Sequence, residues 1–280
     1  MIKITADSTC DLSPEILANL DITLAPLYIQ SGEQSWRDGV DITPTDIFEL
    51  AENKKQTCST AAVNVYDYQQ LFAKYSPQSE AVIHLAISAN LSACYQNASL
   101  AAADFSNVYV VDTRNLSTGS GYLVYDAALA AQAGLGAEAI CEQLAAEIPL
   151  VDCSFVIDKL DYLHRGGRCS GLTALSAQLL NIKPCIEVKN GEMLVGKKYL
   201  GKFEKCLVQY VKDRLSVPQT IDAKRCFITH PVCSAETVEQ VRATIAQYVD
   251  FDTVIETQAG CTVSNHCGPK TLGIIFKRRG

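Results

Sequence analysis

The chain has 280 residues and a formal net charge of −7, and 48% of it is hydrophobic against 20% charged. That length and apolar content allow one large or two ordinary domains with a sizeable core, and the acidic balance excludes a general nucleic-acid binder. The most apolar stretch, Gly121 to Ala139, is broken by Asp126, Gln132, Gly134, Gly136 and Glu138, so it reads as a buried helix and not a membrane span.

The opening MIKITADSTC carries one lysine and no long apolar run, so no secretory leader is expected and the expected location is cytoplasmic. Ile2 to Ala6 reads as a first strand. Ser13 followed by Pro14 marks a helix start, with Ser as N-cap and Pro at the first helical position. Ala25 to Ile29 is strand-like, and SGEQSWRDGVD is a loop or short hairpin. Thr43, Pro44 and Asp46 repeat the helix-start device before a helix to about Asn53, and Asn64 with Asp67 opens another to about Tyr75.

Ala81 to Ser88 is a buried-strand run. Ser92 is expected to open a helix to about Asp104, Val108 to Asp112 is the next strand, and a very apolar helix runs from about Gly119 to Ala133. Ala137 to Ala146 is a further helix. Strands alternating with helices at this spacing predict an α/β domain with a parallel sheet. Loops at the carboxyl ends of such strands bind ligands; here Asp7–Thr9, Ser88–Ser92 and Thr113–Gly121 are rich in Ser, Thr and Gly.

After Pro149 the pattern changes. Cys153 to Ile157 is a strand, DKLDYLHRGGR a short helix ending at Gly166-Gly167, and Thr173 to Leu180 an amphipathic helix. Pro184–Lys189 and Glu192–Tyr199 flank Asn190-Gly191, a strong hairpin signal. A helix (Lys202–Leu215), a strand (Lys224–Thr229), a helix (Ala235–Tyr248) and two strands (Thr253–Thr257 and Thr271–Phe276) complete the chain. The expected division is residues 1–150 as an N-terminal α/β domain and 151–280 as a C-terminal α+β domain with a mixed sheet. Between the last two strands lies a polar loop with His266, shaped by Gly260, Gly268, Pro269 and Gly273. The imidazole is either a functional donor or acceptor or an idle loop histidine.

The twelve cysteines fall mostly in apolar or helical runs with no CxxC, which points to free thiols in a reducing compartment and not to a disulfide framework. A zinc site from His230, Cys233, Cys261, His266 and Cys267 matches no common ligand spacing, so no metal is expected. GEMLVGKK lacks the Ser or Thr of a P-loop and sits on a hairpin. No GxSxG elbow or GxGxxG occurs.

DSTCDL (Asp7–Leu12), WRDGVDIT (Trp36–Thr43), AISANLSACYQNA (Ala86–Ala98), VVDTRNLSTGSG (Val110–Gly121), LDYLHRGGR (Leu160–Arg168), NIKPCIEVKNG (Asn181–Gly191) and NHCGPKTLG (Asn265–Gly273) occur in one order along the whole chain. The set resembles the DegV family, and the chain is similar to the fatty-acid-binding subunit of bacterial fatty acid kinase. The resemblance implies a two-domain fold, a three-layer α/β/α domain plus an α+β domain, with a long-chain fatty acid in the cleft between them. It implies a non-enzymatic carrier with no cofactor beyond the bound acid, which is presented to a partner kinase subunit for acyl-phosphate formation in phospholipid synthesis.

Carried over by position, the carboxylate-binding groups are Thr60, Ser92 and His266, with Ser59, Ser88 and Arg168 beside them. Each has a plainer reading: Ser92 as an ordinary N-cap, Thr60 as a loop threonine, Arg168 in a structural ion pair. The sequence departs from the family pattern at Ala61-Ala62-Val63, at Ala93-Cys94 where Gly-Thr is usual, and at Lys270 where Gly is usual. A sixteen-carbon chain offers roughly 14 methylenes at about 0.8 kcal/mol each, and its carboxylate needs donors to enter an apolar cleft. The expected ligand is therefore a C14 to C18 acid, with no nucleic acid and no membrane span. A different reading is a hydrolase or phosphotransferase pairing His266 with the hydroxyl of Ser88 or Ser92; a third is a lipid-responsive sensor.

Overall fold

The computed structural model describes residues 1–53, 57–170 and 182–280; the helix expected over Thr173–Leu180 lies outside the described residues. The strands are β1 (Ile2–Asp7), β2 (Thr23–Ala25), β3 (Tyr28–Ser31), β4 (Gln34–Arg37), β5 (Ser59–Ala61), β6 (Ala81–Ala86), β7 (Val108–Asp112), β8 (Val151–Ile157), β9 (Cys169–Ser170), β10 (Ile182–Lys189), β11 (Glu192–Leu200), β12 (Ile221–His230), β13 (Thr253–Gln258) and β14 (Thr271–Arg278). The helices are α1 (Pro14–Asn19), α2 (Pro44–Asn53), α3 (Val65–Tyr75), α4 (Cys94–Ala102), α5 (Thr118–Gln132), α6 (Ala137–Glu147), α7 (Asp161–Gly166), α8 (Phe203–Arg214), α9 (Ala235–Ala246) and α10 (Cys261–Cys267).

Three sheets result. The first is wholly parallel, in the order β2-β1-β6-β7. Its two central strands, IKITAD and AVIHLA, are buried at every position, as expected for a sheet covered on both faces. The second is mixed, in the order β13-β12-β14-β8-β10-β11-β9. There β12 pairs parallel with β13 and β11 with β9, and the remaining ladders are antiparallel. The third is a small antiparallel sheet, β4-β3-β5. The expected single strand over Ala25–Ile29 is instead split between β2 and β3, so the chain leaves the parallel sheet there and starts the small one. The SGEQSWRDGVD stretch supplies the β3–β4 hairpin.

Local signals set several element ends. Ser13 Oγ accepts from Ile16 N at 3.3 Å with Pro14 opening α1, and Asn64 Oδ1 accepts from Asp67 N at 2.9 Å to open α3. Asn190 and Gly191, at φ 52° and 85°, turn β10 into β11, the left-handed pair that a two-residue hairpin requires. Helix α5 is apolar on nearly all sides and packs on β1 and β6 of the parallel sheet and on β8 and β14 of the mixed one. It is the common core of the molecule. Polar ties reinforce the seam: Arg225 donates to Asp126 at 2.8 Å, Lys277 reaches Asp126 and Glu147, and the hydroxyls of Thr118 and Thr229 meet at 2.5 Å. None of the twelve cysteines is in a disulfide. Among the described residues, no helix is long and apolar enough to cross a membrane.

Candidate functional site

The expected loop at His266 is a two-turn helix. Residues Cys261–Cys267 form α10, and Gly268 ends it at φ 77°. The helix packs on α7 from its own half and on α2, β3 and β5 from the other. His266 sits in its last turn, so its imidazole is delivered across the seam. There Nε2 lies 2.8 Å from Thr60 Oγ1 on β5. The ring's other nitrogen, Nδ1, is buried and without a partner, and it lies over Gly166 at the end of α7. A Cβ at position 166 would stand 2.2 Å from Nδ1; only glycine leaves the ring its place.

Burial pushes the His266 pKa down to about 4, and the nearby charge of Arg168 adds to the fall. The ring is neutral near pH 7. If Nε2–H donates to Thr60 Oγ1, the threonine hydroxyl hydrogen points onward as a donor, so the histidine sets the polarity of the threonine. Arg168 Nη1 donates to Gly166 O at 2.8 Å, which fixes the guanidinium beside the same ring.

These groups stand between consecutive hollows. A polar one of about 370 Å³ is bounded by Ser59, Thr60, Tyr162, Arg168 and His266. A second, about 210 Å³, shares Thr60, Arg168 and His266 with it and adds Ser92 and the apolar walls of Leu27, Ile87, Leu91 and Met193. A third, small and almost wholly apolar, shares Leu116, Val263 and Cys267 with the second and ends against Phe155 and Ile275. The track therefore runs from donors to hydrocarbon. A larger open hollow of about 930 Å³ lies elsewhere, lined among others by Asp152, Glu187, Arg214 and Arg278. Those charges already pair with one another, and none of Thr60, Ser92 or His266 reaches it.

Thr60, Ser92, Arg168 and His266 thus line one cavity, and Ser59 lines its polar neighbour. Ser88 is elsewhere: its hydroxyl donates to Gly191 O at 2.7 Å and accepts from Asn90 N, tying the β10–β11 turn to the parallel sheet. Ser92 does not cap α4 as expected. The helix starts two residues later at Cys94, with Ala93 at the cap position, and Ser92 Oγ accepts from Cys94 N at 3.3 Å while donating to Cys94 Sγ at 3.2 Å. Sulfur is a weak acceptor, so the hydroxyl gives up little by turning to a better one. Sequence reasoning assigned no role to Asp11 and Asp38, whose carboxylates receive the first backbone N–H groups of the α10 segment. Their only sequence signal is their place in DSTCDL and WRDGVD.

A family model described as an uncharacterised protein of the DegV family matches residues 1–279. The chain belongs to the DegV family. A DegV domain-containing protein of Deinococcus radiodurans is 34% identical over 278 residues, covering 99% of this chain and 98% of its own. Among solved structures, a fatty-acid-binding DegV family protein of Thermus thermophilus superposes with a TM-score of 0.92 at 27% identity, covering 99% of both chains. A stearic acid-binding protein of Eubacterium ventriosum superposes at 0.84 with 26% identity, covering 99% of this chain and 98% of that one. Relatives in the DegV family thus carry fatty acids as ligands, and the chain shares their α/β fold of a parallel and a mixed sheet.

Proposed function

We propose that this DegV family protein carries a long-chain fatty acid with its carboxylate at Thr60, Ser92 and His266 and its tail along the apolar hollows. The supporting observation is the contact of His266 Nε2 with Thr60 Oγ1 at the junction of the polar and apolar cavities. Burying roughly 14 methylenes favours binding by about 11 kcal/mol before ordering costs. The anion is tolerated there only because hydroxyl donors, an imidazole and the Arg168 charge surround it. The relatives from Thermus thermophilus and Eubacterium ventriosum, which bind fatty acids, support the ligand class.

On this reading the protein is a carrier and not an enzyme. Its chain division falls at residues 150–151, between the end of α6 and β8. The polar hollow, open to the surface, leaves a carboxylate oxygen within reach of a kinase partner in the cytoplasm, which would make the acyl phosphate for phospholipid synthesis. The test is oleate affinity of the wild type against His266→Ala and the Thr60→Ala, Ser92→Ala double variant. Each should bind about tenfold or more weakly, with an unchanged circular dichroism spectrum. Equal affinities would reject the site.

A further inference from the structure

His266 stands at the end of a helix too short to hold itself: α10 has seven residues, below the length at which helices persist alone. What holds it comes from the other half of the molecule. Asp38 accepts from Cys261 N at 2.8 Å through Oδ1 and from Thr262 N at 3.2 Å through Oδ2. Asp11 accepts from Gly260 N at 2.9 Å. Both carboxylates are buried, and each is held in turn by a serine: Ser8 Oγ donates to Asp38 at 3.1 Å and Ser117 Oγ to Asp11 at 2.5 Å.

The fit is close. A Cβ at Gly260 would come within 3.1 Å of Asp11 Oδ1 and 3.3 Å of Asp38 Oδ1. Cys261 is fully buried in the small core of Ile29, Ile42, Ile47 and Leu50, and its Sγ reaches Ile42 O at 3.1 Å. Asn265 Nδ2 adds a tie to Cys58 O, two residues before Thr60. The helix thus belongs to the mixed-sheet half by sequence and packs on both halves, with its start seated in the small-sheet one.

We infer that Asp38, seconded by Asp11, is a positioning residue for the ligand's head group: by capping α10 across the seam it sets His266 against Thr60. This rests on the fatty-acid reading above. It gives a buried aspartate that lines neither hollow, but bonds the backbone of Leu27 and Thr262 in the wall of the second, a part in carboxylate affinity and none in tail affinity.

The experiment compares wild type, Asp38→Ala and Asp38→Asn by two readouts. The first is displacement of a fluorescent fatty acid by oleate and by oleyl alcohol, which has the same tail without the carboxylate. The second is the titration midpoint of the His266 ring by NMR in ligand-free protein. Asp38→Ala should bind oleate about tenfold more weakly, the size of a lost cap, with oleyl alcohol affinity within about twofold. Its His266 midpoint should rise from about 4 towards 6.5 as the ring leaves its buried seat. Asp38→Asn keeps the shape and one acceptor and should move both readouts less in the same direction; it decides the question if the alanine variant does not fold. Equal losses for oleate and its alcohol, or a midpoint that stays near 4, would overturn the inference. A wild type that binds neither ligand would sink the carrier reading itself, while the midpoint would still decide whether Asp38 positions the ring.

Discussion

Two buried groups give the protein opposite pH responses. Burial lowers the His266 pKa from 6.5 to about 4, so between those values the unfolded chain binds a proton that the folded chain refuses. The stability tied to this residue is complete above pH 6.5 and is lost as the pH falls through 4, about 3 kcal/mol in all. Burial raises Asp11 from 3.8 to about 8 against the pull of Ser117 and Gly260. Its contribution is complete below 3.8 and is lost as the pH rises through 8. Urea titrations across pH 4 to 9 check both: His266→Gln should flatten the acid limb and Asp11→Asn the neutral limb, and slopes unchanged from wild type would contradict the assignment. Gly166→Ala tests the seat of the ring. The new methyl would overlap Nδ1 and push the imidazole off Thr60, an overpacking of roughly 1–3 kcal/mol, and oleate binding should weaken about tenfold. A variant that binds as well as wild type would show that the ring does not need its place.

At the scale of elements, the helix and strand signals that were legible in the sequence are those written locally. Ser13-Pro14, Asn64 with Asp67, and Asn190-Gly191 all act over a few residues, and each sits where its pattern pointed. Helix α10 was not legible. Its seven residues lie between Gly260 and Gly268-Pro269 and read as a polar turn, because the group that caps it is 223 residues away in sequence. Of the small β4-β3-β5 sheet, the hairpin was one of two readings of SGEQSWRDGVD, while β5 was not foreseen for the same reason: it is three residues long and is supported by β3 and α10, which are distant in sequence. Of the site, resemblance to the family supplied Thr60, Ser92, Arg168 and His266, which the fold brings to one cavity, and also Ser88, which it does not. The departure at Lys270 has a physical meaning. The residue has φ 54°, the left-handed region that costs a side-chain-bearing residue roughly 1–2 kcal/mol and glycine little. Lys270→Gly should therefore raise the unfolding free energy by up to about 1 kcal/mol in urea melts; a loss of stability would mean that the lysine side chain contributes more than the strain costs.

At the scale of the whole molecule, the seam between the two large sheets holds both core and the proposed binding site. Helix α5 fills most of it with hydrocarbon, and α10 crosses what remains to meet β5. The space left over is a narrow track, polar where Thr60, Arg168 and His266 stand and apolar beyond Leu116 and Val263. Such a track suits a ligand with one charged end and a long inert tail, and it wastes the burial energy of anything short or polar throughout. The most direct measurement is mass spectrometry of the organic extract of the purified, denatured protein. The account predicts a C14 to C18 fatty acid at close to one per chain. An empty protein that also takes up neither palmitate nor oleate would contradict it.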